Sequence, residues 1–95
     1  MKLLNFGSGH AYGMLGLQVS LRSQPGVIIV SDACYTAENY GPPYRPSGIS
    51  YDTVGAARTV QRIKLLAHES GNDVWFGHDP AQFASLRTSS EGWYE

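Results

Sequence analysis

Three side chains able to bind a divalent metal stand just after short apolar stretches: His10, Asp32 and His78. Imidazole nitrogen and carboxylate oxygen together suit zinc, or iron or manganese in a mixed nitrogen–oxygen site. In sheets with helical cover such ligands gather at strand ends, because the loops converge there. By spacing alone, three unrelated loop residues remain the simpler reading. Other reactive groups have plain structural roles. Cys34 has no histidine or aspartate at a spacing that would make it a nucleophile, and reads as a small buried hydrophobe. His68 reads as a solvated residue near a helix C-terminus. Asp79 reads either as a partner of the neighbouring His78 or as a helix cap, and its place before Pro80 favours the cap.

The elements that must position these residues follow from apolar spacing. Lys2–Phe6 runs into Gly7-Ser8-Gly9 and reads as a strand entering the loop that carries His10. Leu15–Leu21 alternates apolar and polar residues, the pattern of a half-buried strand. Ser23–Gly26 reads as a turn and Val27–Val30 as a buried strand, so the two strands should pair as an antiparallel hairpin. Asp32–Tyr40 is short and mixed, and Gly41–Gly48 is too proline-rich for regular structure. In Asp52–Ser70, Ala56, Val60, Ile63 and Ala67 recur at helical spacing with Leu66 beside them, Asp52 is placed to cap, and Gly71 to stop the helix. Val74–Phe76 is a short strand that delivers His78, and Pro80–Leu86 is a helix. The order β-β-β-α-β-α predicts an α/β protein with a mixed sheet and helices on one face. The other face, carrying Val19, Val27 and Ile29 or their neighbours, would be left without cover.

Composition narrows the class of function. A chain of 95 residues holds one small domain at most, and 42% hydrophobic with 12% aromatic residues excludes disorder and low complexity. Seven basic against eight acidic residues, with no basic cluster, leave no electrostatic footprint for nucleic acid. The longest apolar run, Val27–Val30, is far too short to span a membrane, and Met1–Leu4 is too short for a signal sequence. The single cysteine excludes an internal disulfide and a cysteine-based zinc ribbon, and suits a reducing compartment. A cytoplasmic location is expected.

The strings around the three candidate ligands are more specific than their spacing. Gly9-His10-Ala11-Tyr12-Gly13-Met14, Asp32-Ala33-Cys34-Tyr35-Thr36-Ala37-Glu38-Asn39 and Gly77-His78-Asp79 resemble the metallo-β-lactamase superfamily. The resemblance is narrowest to its N-acyl homoserine lactonase branch, the quorum-quenching lactonases. That branch carries Gly-His-Thr-Pro-Gly-His, Asp-Ala-x-Tyr-x-x-Glu-Asn and Gly-His-Asp strings in this order, and the match covers nearly the whole chain. It implies two divalent metal ions, zinc or alternatively iron, manganese or cobalt. His10 would bind the first metal, Asp32 would bridge both, and His78 would bind the second. Tyr35 would hydrogen-bond the lactone substrate. The implied reaction is opening of the lactone ring by a hydroxide shared between two metals about 3.5–4 Å apart, with Asp32 and Tyr35 as catalytic residues.

The sequence departs from the family pattern in two ways. Met14 stands where relatives carry a second, non-ligand histidine, which would alter the pocket wall, and Ala11-Tyr12 replaces Thr-Pro. The larger departure is the lack of a His-x-His-x-Asp-His string, which supplies the remaining ligands in the family's N-terminal half. Residues 1–95 are therefore expected to form the C-terminal half of an αββα sandwich. Its N-terminal half would be supplied in cis or in trans, and the chain alone would be inactive and prone to self-association. Alternatives are a different lactone, ester or β-lactam substrate, of which the Tyr35 string favours lactones, or a non-catalytic remnant or partner subunit. Tyr40, Tyr44 and Tyr51 would border an acyl pocket or sit exposed. Trp75, Phe76, Trp93 and Tyr94 would pack in the core or between halves.

Overall fold

A computed structural model describes all residues, Met1–Glu95. Strands β1 (Lys2–Gly7), β2 (Met14–Val19), β3 (Val27–Ile29) and β4 (Asp73–Trp75) form one sheet in the order β1-β2-β3-β4. The first three pair antiparallel, while β3 and β4 run parallel. Parallel neighbours need a long crossover, and here it carries the helices α1 (Ala37–Tyr40) and α2 (Thr53–Ser70). A short helix, α3 (Pro80–Ser85), follows β4. The mixed sheet matches the expectation. No helix is long and apolar enough to cross a membrane.

α2 forms where the periodicity placed it. The Asp52 side chain accepts from the Gly55 N–H at 2.9 Å and also takes the Ser8 hydroxyl at 2.6 Å. These two donors, the hydroxyl first, hold the Asp52 carboxyl below the usual carboxylate range. At the other end Gly71 takes the left-handed conformation (φ 71°) that closes the helix. Val60 and Ile63 pack on Leu4, Phe6, Ile28 and Val30, all buried. The Thr59 hydroxyl donates to the Phe6 carbonyl at 3.3 Å, tying the helix to β1. Cys34 is buried in the same core, and burial pushes its thiol up to about 11.

Three details differ from the sequence reading. β2 stops at Val19, because Val19 already pairs with Val27 and the chain to Gly26 is left as a loop. Asp32–Tyr40, read as mixed, is two helical turns: a 3-10 turn at Ser31–Ala33 and α1, whose first turn Thr36 caps by accepting from Asn39 N–H. Met14, expected in the pocket wall, is buried in the core instead, since its neighbour Leu15 takes the outward place in β2.

Cross-strand partners share a face, so Leu3, Leu17, Ile29 and Trp75 form one apolar row opposite α2. Leu3 is 67% and Leu15 52% exposed. Val27 lies on this face too, yet is only 4% exposed. The C-terminal segment folds back at this end, with Tyr94 edge-on to Trp75 and the Glu95 carbonyl accepting from Ser23 N–H. The cover therefore reaches only the β4 end, and Ile29 on β3 is still 37% exposed. Contiguous exposed apolar surface favours association. The chain should sediment as oligomers, and Leu15→Lys should shift it toward monomer without lowering its melting temperature. A parent chain that sediments as one sharply melting monomer contradicts this. Cys34 should resist iodoacetamide at pH 8 while folded, because a thiol at about 11 is almost wholly protonated there. Its labelling rate should climb as pH approaches that value.

Candidate metal centre

The loops after β1, β3 and β4 converge, and the three sequence-derived ligands meet at one carboxylate. Asp32 Oδ1 lies 2.8 Å from His78 Nε2, and Asp32 Oδ2 lies 3.5 Å from His10 Nε2. Each carboxylate oxygen thus faces a different histidine. Tyr35 sits between the two imidazoles, with ring centroids 5.4 Å from His10 and 4.4 Å from His78. Its hydroxyl is 3.5 Å from His10 Nδ1. His10 is the most enclosed of the trio, its side chain 20% exposed against 58% for His78.

The backbone around His10 is pinned to the segment that enters α2. Tyr51 N–H donates to the His10 carbonyl at 3.1 Å and Asp52 N–H to the Gly9 carbonyl at 2.7 Å. The Ile49 carbonyl lies 3.2 Å from His10 Nδ1. A carbonyl can only accept, so it favours a proton on Nδ1, and a neutral ring then leaves Nε2 free to ligate. Nε2 faces Asp32 Oδ2, an acceptor. A proton on Nε2 or a metal ion would each bridge these two atoms, and a ligating histidine is commonly oriented by a carbonyl in this way. The donor set therefore fits divalent metal ions. Zinc takes four ligands, however, and no group of three or more His, Cys, Asp or Glu side chains here could hold a metal ion by itself.

A narrow cleft of about 20 Å³ opens beside the carboxylate, lined by His10, Asp32, Tyr35, Tyr44, Arg45 and Ile49 among others. Of Tyr40, Tyr44 and Tyr51, only Tyr44 borders it. Tyr40 stacks on Phe76 and packs against the core, and Tyr51 meets Tyr12 at the surface. Trp93 is exposed. His68 lies exposed in the last turn of α2, as expected. Asp79 caps α3 through Gln82 N–H at 3.0 Å, but it also accepts from Ala37 N–H at 2.8 Å. These backbone donors, Ala37 first, hold its carboxyl below the usual range. The sequence reading missed that second bond and the Ile49 carbonyl, since neither follows from residue type. The adjacency of Asp79 to His78 was the one available signal.

No family model matches the chain. Among curated proteins, N-acyl homoserine lactonase AiiB of Agrobacterium fabrum is 58% identical over 95 residues, all of this chain and 34% of AiiB. N-acyl homoserine lactonase AttM of Azorhizobium caulinodans is 32% identical over 90 residues, 95% of this chain and 34% of AttM. Among solved structures, an N-acyl homoserine lactone hydrolase with the product N-hexanoyl-L-homoserine at its catalytic metal centre superposes with TM-score 0.81 at 28% identity. It covers 98% of this chain and 35% of that one. A Bacillus thuringiensis AiiA variant with N-decanoyl-L-homoserine at its active site gives the same score and coverage. The chain spans about a third of the length of the curated relatives it matches. By sequence and by fold, the chain is similar to the C-terminal portion of the N-acyl homoserine lactonases, proteins of the metallo-β-lactamase fold.

Proposed function

We propose that residues 1–95 supply part of the binuclear metal centre and the substrate-facing tyrosine of a cytoplasmic lactonase that opens N-acyl homoserine lactones. The observation that carries this reading is the Asp32 carboxylate, whose two oxygens face two histidines with Tyr35 between them. The lactonase names of the relatives and the homoserine products bound by the structural neighbours support the substrate class. The remaining ligands would come from a segment outside these residues, in cis or in trans.

In the proposed reaction water adds to the acyl carbon and the ring carbon–oxygen bond breaks, leaving an N-acyl homoserine carboxylate and one released proton. Two divalent ions, zinc foremost, would supply a nucleophile from water near neutral pH and polarise the carbonyl. His10 and one oxygen of Asp32 would hold the first ion, and His78 and the other oxygen the second. The chain's own residues do the rest. Asp32 fixes the separation of the two imidazoles, and Ile49 sets the His10 tautomer through its carbonyl. Tyr35 borders the cleft, where its phenol can donate to the lactone oxygen as negative charge develops. Tyr44 and Ile49 border the same cleft, and would begin an acyl pocket whose remaining wall comes from outside these residues.

Two outcomes test the reading. With one imidazole and one carboxylate oxygen per ion, the chain alone is too poor in ligands for tight binding. Metal analysis after dialysis against zinc should find well below two equivalents, and two tightly held equivalents would refute it. In the enzyme completed by its missing ligands, Asp32→Ala should abolish proton release from an acyl homoserine lactone. Tyr35→Phe should lower kcat/KM with metal content unchanged. Loss of one transition-state donor costs about 2.7–4 kcal/mol, and a donor beside two metal ions should cost less. Full activity in Tyr35→Phe would make the tyrosine a packing residue.

A further inference from the structure

His78 reaches Asp32 from the loop between β4 and α3, a position more exposed than that of the other ligands. Two backbone bonds run this loop alongside the segment that carries Asp32 and Tyr35: Gly77 N–H to the Cys34 carbonyl at 3.1 Å, and His78 N–H to the Tyr35 carbonyl at 2.9 Å. The next bond in line is made by a side chain. Asp79 accepts from Ala37 N–H through Oδ2 and from Gln82 N–H through Oδ1. One carboxylate therefore closes the first turns of both α1 and α3. Gln82 in turn grips β4, accepting from Phe76 N–H at 2.8 Å and donating to the Val74 carbonyl at 2.7 Å. Asp79 thus joins a body built from β4 and α3 to one built from α1 and the Asp32 turn.

On the other side of His78, the two segments nearly touch. A Cβ placed on Gly77 would lie 2.5 Å from the Ser31 carbonyl oxygen and 3.3 Å from Asp32 Oδ1. Ser31 itself sits at φ 54°, in the left-handed region. Any side chain at position 77 must push the His78 loop away from Asp32, because the obstacle is backbone rather than a flexible side chain.

We propose that Gly77 and Asp79 are positioning residues that bracket His78 and hold its imidazole between Tyr35 and the Asp32 carboxylate. Gly77 permits the approach, and Asp79 locks it. The consequence for catalysis rests on the lactonase reading, while the geometry does not.

Nuclear magnetic resonance on the 95-residue chain tests this without any activity assay. Asp79→Ser keeps one oxygen, enough to cap α3 but not to reach Ala37 as well. Asp79→Asn keeps the shape and turns an amide N–H against one of the two donors. In Asp79→Ser the Ala37 amide should exchange roughly five- to tenfold faster, the loss of one hydrogen bond, and in Asp79→Asn either the Ala37 or the Gln82 amide should do so. The His78 ring protons should lose the shift imposed by the neighbouring Tyr35 ring, while the His10 ring signals stay in place. Gly77→Ala should displace the same His78 signals. A folded Asp79→Ser chain with parental His78 signals, or with parental exchange at Ala37, overturns the lock. A folded Gly77→Ala chain with parental His78 signals overturns the approach. An enzyme that proved inactive on lactones would leave all of these readouts standing.

Discussion

One carboxylate shared by two imidazoles governs this structure. Asp32 can serve two histidines only if three loops from three different strands arrive within a few ångströms of one point. Each arrival has its own mechanical cause. Asp32 comes on a tight turn straight after β3, His78 on the end of the parallel neighbour β4, and His10 on a loop tied to the start of α2. The parallel pairing of β3 and β4 matters most. It places the C-terminal ends of the two strands side by side, so that Asp32 and His78 emerge in the same direction. An antiparallel β4 would have sent His78 to the far end of the sheet.

How much of this was legible depends on whether the signal is local. α2 could be read in full, because its cap, its period and its stop are all written within Asp52–Gly71. The meeting of His10, Asp32 and His78 could be read from their strings, though not from spacing. What escaped was set by distant parts of the chain. The C-terminal segment returns to the β4 end of the sheet, with Tyr94 on Trp75, and nothing near Trp75 announces that. Met14 faces the core because the register of β2 turns it there. The double use of Asp79 needs Ala37, 42 positions away, and only the fold brings it within reach.

The sheet's two faces show the same division between local and distant causes. The face under α2 is closed by residues whose periodicity is visible in the sequence, Val60 and Ile63 against Leu4, Phe6 and Ile28. The opposite face carries an apolar row just as regular, Leu3, Leu17, Ile29 and Trp75, but only its β4 end is covered. Strands with apolar residues on both sides belong to layered folds in which each sheet face meets another layer. The likeness to about a third of a larger metallo-β-lactamase-fold protein agrees with that pattern.

Direct contacts among the three side chains are few, and the surrounding bonds supply the rest. With Nδ1 of His10 donating to Ile49, a neutral ring offers Asp32 Oδ2 no donor at Nε2, 3.5 Å away. His78 is largely open to solvent, which weakens whatever its contact with Asp32 contributes. Geometry at the ligands must therefore be imposed from behind them. The bonds that do so are all made by backbone or by caps: Tyr51 and Asp52 N–H to the His10 loop, Gly77 and His78 N–H to the Asp32 segment, and Asp79 across two helix ends. Such a scaffold fixes the three side chains in advance, so a cation binding there would require little rearrangement.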